Sequence, residues 1–252
     1  MARKTDSNTY RFFVPAAAFV DDHVAVDDPD LARQLGQVLR LTAGDTITLL
    51  DGVGGVYTVQ ITSIARGGIT GAVLARSVAG GEPRVQLTLY IALIRGERFE
   101  WALQKGTEIG AAAFVPLICT RNVVDGPTDA KKLDRWRRIV REAAEQSQRG
   151  IVPTVDAPQP FAPACARAAA AGPALLLYEG QGGASLRQHM RNTTPQHLGL
   201  LSGPEGGLTD DEVQLARAAG VQIASLGPRI LRAETAPLVA AVAALSELGE
   251  LG

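Results

Sequence analysis

The stretch LLSGPEGGLTDDEV, residues 200–213, sets Gly203, Gly206 and Gly207 around Pro204 and Glu205. Glycine-rich loops between a strand and a helix usually hold phosphates, because bare backbone N–H groups can approach the ligand closely. This loop lacks both the Gly-Lys-Ser/Thr ending of a P-loop and the three-glycine dinucleotide fingerprint. Glu205 would repel a pyrophosphate, and no lysine stands nearby to offset it. The loop therefore suits a ligand that is neutral or positive on that side, with backbone groups close enough to read an adenine edge. A plain tight turn is the competing reading.

Two more segments have the same form. SLGPRILRAETAPLVAAVAAL, residues 225–245, carries Arg229, Arg232 and Glu234 in apolar surroundings. Buried charges must be paired, so these residues form either a polar mouth above a sheet or an Arg232–Glu234 structural cluster. LLLYEG, residues 175–180, brings Tyr178 and Glu179 to a comparable point. Three glycine-ended apolar runs with polar loops predict one shared pocket.

The elements that must position these loops follow from periodicity. From residue 84 onward, the apolar runs 85–93, 113–119, 174–180, 197–203 and 222–227 alternate with helical patterns. One helix is expected over 97–110, ending at Gly110, and another over 129–150 with Leu133, Trp136, Val140 and Ala143 on one side. Thr209 and Glu212 make a capping box for the helix after the glycine-rich loop. Thr235 is expected to cap a final helix beginning near Pro237, whose apolar run Leu238–Leu245 predicts full burial. Such alternation points to a mostly parallel sheet with helices on both faces, where ligands bind at the carboxyl ends of the strands. Residues 45–90 read differently. Short runs rich in Val, Ile, Thr and Leu, separated by Asp51-Gly52, Gly54-Gly55 and Gly67-Gly68, predict a small antiparallel barrel or sandwich. A helix over 28–41 with Asp30 as N-cap and Gly44 beyond its end interrupts the start. VAGGEPR, residues 78–84, reads as a linker, giving a β-rich domain over 1–80 and an α/β domain over 84–252.

Composition narrows the function classes. The 252 residues are 46% hydrophobic and 20% charged, enough to build a sizeable core and far from a disordered composition. The net charge of −1 means that any nucleic-acid contact must use a local basic surface. Residues 131–150 offer one, with seven basic side chains against three acidic. A solvated helix face explains them equally well. Cys119 and Cys165 have no CxxC partner, and His23, His189 and His197 sit in no ligand spacing, so neither a disulfide framework nor a metal site is expected. No apolar run approaches the roughly 18 residues of a membrane helix. RFFVPAAAFV, residues 11–20, is short and broken by Pro15, so an N-terminal strand is expected rather than a signal peptide, and the cytoplasm is the expected location.

The two C-terminal motifs, LLSGPEGGLTDDEV and SLGPRILRAETA, together resemble the signature of the SPOUT-class methyltransferases. RFFV (11–14), QVLRL (37–41), QKGTEIGAAAFVPL (104–117) and EAAEQSQR (142–149) resemble, in order, the other blocks of the bacterial 16S rRNA (uracil-N3)-methyltransferases within that class. The resemblance spans nearly the whole chain. It implies an N-terminal PUA-like β-barrel that binds RNA and a C-terminal α/β domain with a deep trefoil knot. It also implies S-adenosylmethionine as cofactor, a homodimer, and methylation of uridine N3 (uridine 1498) in 16S rRNA of the small ribosomal subunit. By position, Leu201, Gly203, Glu205 and Gly206 belong to the second cofactor loop. Leu226, Gly227, Ile230, Leu231 and Arg232 belong to the third, and Glu179 and Gly180 to the first. The family often carries a histidine and a basic residue where this chain has Gln34 and Gln37, and a cysteine near Ser147.

The implied cofactor bears a positive sulfonium and no phosphate, so a carboxylate in its loop is tolerable. Glu205 either touches the ligand or braces the loop. Arg232 is the expected catalytic residue, stabilising a uracil anion through a carbonyl oxygen. No histidine sits where a base is needed. Arg11, Arg40, Arg95 and Lys105 are the expected phosphate contacts. A catalytically silent RNA-binding protein and a methyltransferase for another RNA base are the competing functions; a nucleotide hydrolase would need a P-loop lysine and metal carboxylates.

Overall fold

The computed structural model describes residues 10–122, 129–180, 183–191 and 193–251. They form two compact units, Met1–Glu82 with Ala144–Val152, and Pro83–Ala143 with Pro153–Gly252.

In the first unit, residues that alternate between apolar and polar build six strands: β1 (Arg11–Phe13), β2 (Phe19–Val20), β3 (His23–Val26), β4 (Thr46–Leu50), β5 (Gly55–Ala65) and β6 (Gly68–Val78). They form one sheet in the order β1-β4-β5-β6-β3-β2, antiparallel except where β1 runs parallel to β4. Its core gathers Phe12, Val24, Leu35, Ile47, Leu49, Val59, Ile61 and Ile69. The expected helix over 28–41 is shorter and differently capped. Asp28, not Asp30, accepts the N–H groups of Asp30 and Leu31, because Pro29 takes the first helical position and pushes the preceding residue to extended backbone. Helix α1 (Pro29–Arg33) then widens into a π-turn over Gln34–Val38. Gly44 is no helix stop; it sits in the turn into β4, and its N–H donates to Ile61 O.

The Ala144–Val152 segment joins this unit through a buried ion pair. Arg149 is 6% exposed, and its Nη2 lies 2.6 Å from Glu82 Oε2. Glu82 Oε1 also accepts the N–H groups of Gly150 and Ile151 at 3.0 and 3.1 Å. Arg149 therefore leaves the basic surface expected over 131–150.

The second unit contains β7 (Gln86–Ala92), α2 (Gly96–Ile109), β8 (Ala113–Ile118), α3 (Ala130–Gln146, whose last turn passes into the first unit), β9 (Thr154–Val155), β10 (Gln159–Pro160) and α4 (Phe161–Ala171). After these come β11 (Ala174–Leu177), β12 (Ala184–Ser185), α5 (Leu186–Met190), β13 (His197–Ser202), α6 (Asp210–Ala218), β14 (Gln222–Ser225) and α7 (Thr235–Glu247). All strand pairs here are parallel, in the order β10-β8-β7-β13-β11-β14-β12, with β9 beside β8. Tyr90, Leu176 and Leu201 face α4 and α6, packing with Ala164, Cys165, Ala168, Val213 and Ala216. Helices α2 and α7 pack against each other, and α7 lies on β7, β11 and β13.

Local chemistry sets several ends. Gly110 closes α2 at φ 118°, the left-handed region that a side chain disfavours. The Thr209–Glu212 capping box forms as its spacing predicts. Helix α7 departs from expectation twice. It begins at Thr235 rather than being capped by it, and the Arg232 carbonyl accepts the N–H groups of Thr235 and Ala236. It is also not fully buried: Leu238, Ala241 and Leu245 are, but Val239 and Val242 are 41% and 44% exposed. Cys119 and Cys165 are free and buried. Burial drives the Cys165 thiol up to about 11 and Cys119 higher still. No helix among the described residues is long and apolar enough to cross a membrane.

Candidate functional site

Strand β11 lies between β13 and β14, so Leu177 has Ser202 on one side and Ala224 on the other. Adjacent strands stand about 4.8 Å apart, which puts three chain exits side by side at the carboxyl edge. The loops that leave them wall a cavity of about 440 Å³. Glu179 enters from the first exit, Gly203 and Glu205 from the second, and Ile230, Leu231, Arg232 and Glu234 from the third. Leu226 and Gly227 line a smaller adjoining recess of about 60 Å³, together with Tyr178 and Arg229. The two share Leu177, Glu179, Ile230, Leu231 and Ala236.

The remaining residues expected at the cofactor lie behind this surface. Leu201 is fully buried in the core between the sheet and α4 and α6. Gly206 packs against the chain that follows β8: its carbonyl accepts from Arg121 Nη1 at 3.4 Å, and a Cβ there would come within 3.0 Å of Arg121. Gly180 folds against the Tyr178 ring, where a Cβ would approach to 2.1 Å. These three shape the loops and are not on the cavity walls.

Glu205 is braced by a residue that the sequence did not single out. Arg98, on the first turn of α2, donates from Nη1 to Glu205 Oε1 at 3.1 Å. Its Nε lies 3.9 Å from Glu234 Oε1. The expected Arg232–Glu234 cluster does not form. Arg232 is exposed at the cavity rim and makes no ion pair among the described residues. Arg98 is missed because its partner lies 107 residues away and its own neighbours describe only an amphipathic helix. The usable signal is a carboxylate at position 205 that needs a cation.

The glycine-rich loop is clamped from behind as well. Glu212, 5% exposed, accepts the Thr120 N–H at 2.8 Å and the Thr209 N–H at 2.9 Å. Burial works to raise its pKa, but the hydrogen bonds from Thr209 and Thr120 outweigh it and hold the carboxyl below its ordinary value.

The cavity wall is mixed. Leu177, Leu208, Ile230 and Leu231 supply apolar surface; Glu179, Glu205 and Glu234 supply carboxyl groups. Among the described residues, Ser202 Oγ and Glu234 Oε2 are buried behind this wall without a hydrogen-bond partner. Arg98 and Arg232 line it too, and among the described residues no lysine does. Three carboxyl side chains against two arginines fit a positively charged nucleoside-like ligand better than a polyphosphate. Among the described residues no cluster of His, Cys, Asp and Glu could hold a metal ion.

The expected phosphate contacts are divided between the two units. Arg11, with its Nε buried and without a partner among the described residues, and Arg40, exposed at φ 57°, belong to the first unit. Arg95 precedes α2, and Lys105 sits about 15 Å further along it and pairs with Glu108 at 2.7 Å.

The RNA methyltransferase domain family matches residues 81–246, and the RNA methyltransferase PUA domain family matches residues 27–74. The chain is 40% identical to a ribosomal RNA small subunit methyltransferase E from Synechocystis sp., over 92% of this chain and 75% of the relative. A Bacillus subtilis protein of the same name is 35% identical, over 85% and 86%. A crystal structure of ribosomal RNA small subunit methyltransferase E from Neisseria gonorrhoeae bound to S-adenosyl methionine superposes with a TM-score of 0.84 at 33% identity, over 94% of this chain and 97% of that one. The antiparallel first unit carries a PUA-like domain and the parallel second unit an α/β methyltransferase domain, and the chain belongs to the ribosomal RNA small subunit methyltransferase E family.

Proposed function

We propose that this protein methylates N3 of a uridine in 16S rRNA of the small ribosomal subunit, with S-adenosylmethionine as methyl donor. The observation that carries the reading is the convergence of three strand exits on one cavity, where three carboxyl side chains outnumber the two arginines. That wall suits a sulfonium-bearing nucleoside, and the relatives named above act in the same chemistry by name. When bound, S-adenosylmethionine supplies an activated methyl group.

The chain's own residues do the rest. Leu177, Leu208, Ile230 and Leu231 exclude water around the ligand's apolar parts. Glu205, held by Arg98, keeps the glycine-rich loop in place. Arg232, free of a carboxylate partner, extends a guanidinium at the rim, where it stabilises negative charge on a uracil carbonyl oxygen. Holding the base and the methyl group in line lowers the barrier by fixing geometry. Because N3 pairs in a duplex, the base must be unpaired or turned out to reach this rim.

RNA is held through local positive charge, with Arg11, Arg40, Arg95 and Lys105 as phosphate contacts. The loops around the cavity thread as the trefoil knot of the SPOUT class. The protein works in the cytoplasm as a homodimer. Support for the dimer comes from apolar side chains left exposed: Trp101 and Ile230, which line the cavities, Ile230 at 83% exposure, and Val239 and Val242 on α7.

The test is incubation with small subunits from a strain lacking this modification and a methyl-labelled donor. Label in 3-methyluridine is expected; label in another nucleoside refutes the uridine assignment. Light scattering after size exclusion checks the dimer, which a single 26.5 kDa species would exclude.

A further inference from the structure

Beside the cofactor cavity lies a second one of about 370 Å³, walled by Glu97, Trp101 and Thr235 and sharing Arg98, Arg232 and Glu234 with the first. The shared residues are two guanidinium side chains and one carboxyl side chain. Glu234 is 9% exposed, and among the described residues its Oε2 is buried with no hydrogen-bond partner. Its other oxygen has, among the described residues, Arg98 Nε at 3.9 Å. A carboxylate this buried and this poorly satisfied is costly, and a turn of its side chain toward the cavity it lines would meet a donor on the substrate.

We propose that the second cavity receives the target uracil and that the Glu234 carboxylate, turned toward the cavity it lines, takes the N3 proton. The proposal rests on the methyltransferase reading above and adds the proton acceptor to it. Uracil N3–H stands between two carbonyl oxygens. A carboxylate for the N–H beside a guanidinium for a carbonyl is the complement of that edge. Cytosine has a lone pair at N3, which would face the Glu234 carboxylate and be repelled, so the same wall selects between the pyrimidines.

The step balances. The N3–H bond breaks and its proton goes to the Glu234 carboxylate. The N3 electron pair forms the N–CH3 bond, and the S–CH3 bond breaks with its pair left on sulfur. A carboxylate and a sulfonium before the step become a carboxylic acid and a thioether after it. The charged groups set around Glu234 are Glu97 and Arg98 on α2, Glu179 after β11, Glu205 after β13, and Arg232 on its own loop.

The experiment compares native protein, Glu234→Gln and Glu234→Asp in single-turnover methylation of unmodified small subunits, from neutral to alkaline pH. Binding of S-adenosylmethionine is measured in parallel by calorimetry. E234Q is expected to bind S-adenosylmethionine within about threefold of native yet transfer methyl at least about 100-fold more slowly at neutral pH. Its deficit is expected to shrink as pH rises, because the uridine imide then ionises unaided. E234D keeps a carboxylate set back from the base and is expected to be at least about tenfold slow at neutral pH, with a deficit smaller than that of E234Q that shrinks in the same way as pH rises. A native rate in either variant overturns the assignment. So does loss of donor binding in step with rate, which would make Glu234 a loop brace, and so does an E234Q deficit that stays constant with pH. If native protein fails to bind S-adenosylmethionine, or labels another nucleoside, the underlying function fails instead, and the native control reads that out separately.

Discussion

Arg98 Nη1 lies 3.1 Å from Glu205 Oε1, joining the first turn of α2 to the glycine-rich loop after β13. This contact gives the loop carboxylate a structural task. A loop with three glycines has little to hold its shape, and an ion pair to a helix supplies the missing restraint. Arg98→Ala is expected to weaken S-adenosylmethionine binding about fivefold. The estimate is modest because the Arg98 side chain is 43% exposed and solvent screens the pair. Calorimetry gives the value directly, and native affinity in the variant would show the loop is held by other means.

Arg232 sits at the cavity rim without an ion-pair partner among the described residues. If it acts on charge that develops during transfer, Arg232→Ala should cut turnover about 100-fold or more while leaving donor affinity within a few-fold. Parallel losses in turnover and affinity would remove the catalytic assignment.

Gly227 holds φ 104° and has no atom within 4 Å of where a Cβ would stand. Gly227→Ala therefore reports backbone strain alone, about 1–2 kcal/mol, in the loop that carries Leu226 into the adjoining recess. Gly203 makes the contrast, since a Cβ there would stand 2.8 Å from Leu208 Cγ on the cavity wall. Gly203→Ala is expected to lower donor affinity more than Gly227→Ala does. Thermal unfolding with and without donor separates strain from lost binding, and identical profiles for the two variants would contradict the distinction.

Glu212 holds the end of β8 to the start of α6 through Thr120 and Thr209. Its folded-state pKa lies below the unfolded value, so its ionised form stabilises the fold above about pH 4.3. That contribution disappears as pH falls through the folded-state value. Glu212→Gln should cost about 1–3 kcal/mol at neutral pH. The gap between native and variant should close in acid. Denaturant unfolding across pH measures it; a gap that persists well below the carboxylate range would assign the loss to packing instead.

The sequence alone determined whatever depends on near neighbours. The Thr209–Glu212 capping box, the Gly110 stop and the alternation of strands and helices are legible because capping and periodicity act within about four residues. Where a local rule had two candidates, the competing residue won. Pro29 moved the cap from Asp30 to Asp28, and the Arg232 carbonyl took the place expected for the Thr235 side chain. The three glycine-ended runs announced a pocket through their shared pattern. The pattern did not reveal that β11 would lie between β13 and β14, because strand order is set by which apolar faces cover one another and not by spacing along the chain. For the same reason only the tertiary structure decided that Arg98 would meet Glu205 and that Arg149 would be buried on Glu82. It also left Val239 and Val242 outside the core. An ion pair or a buried face depends on distances between elements, and those distances exist only once the sheet has formed.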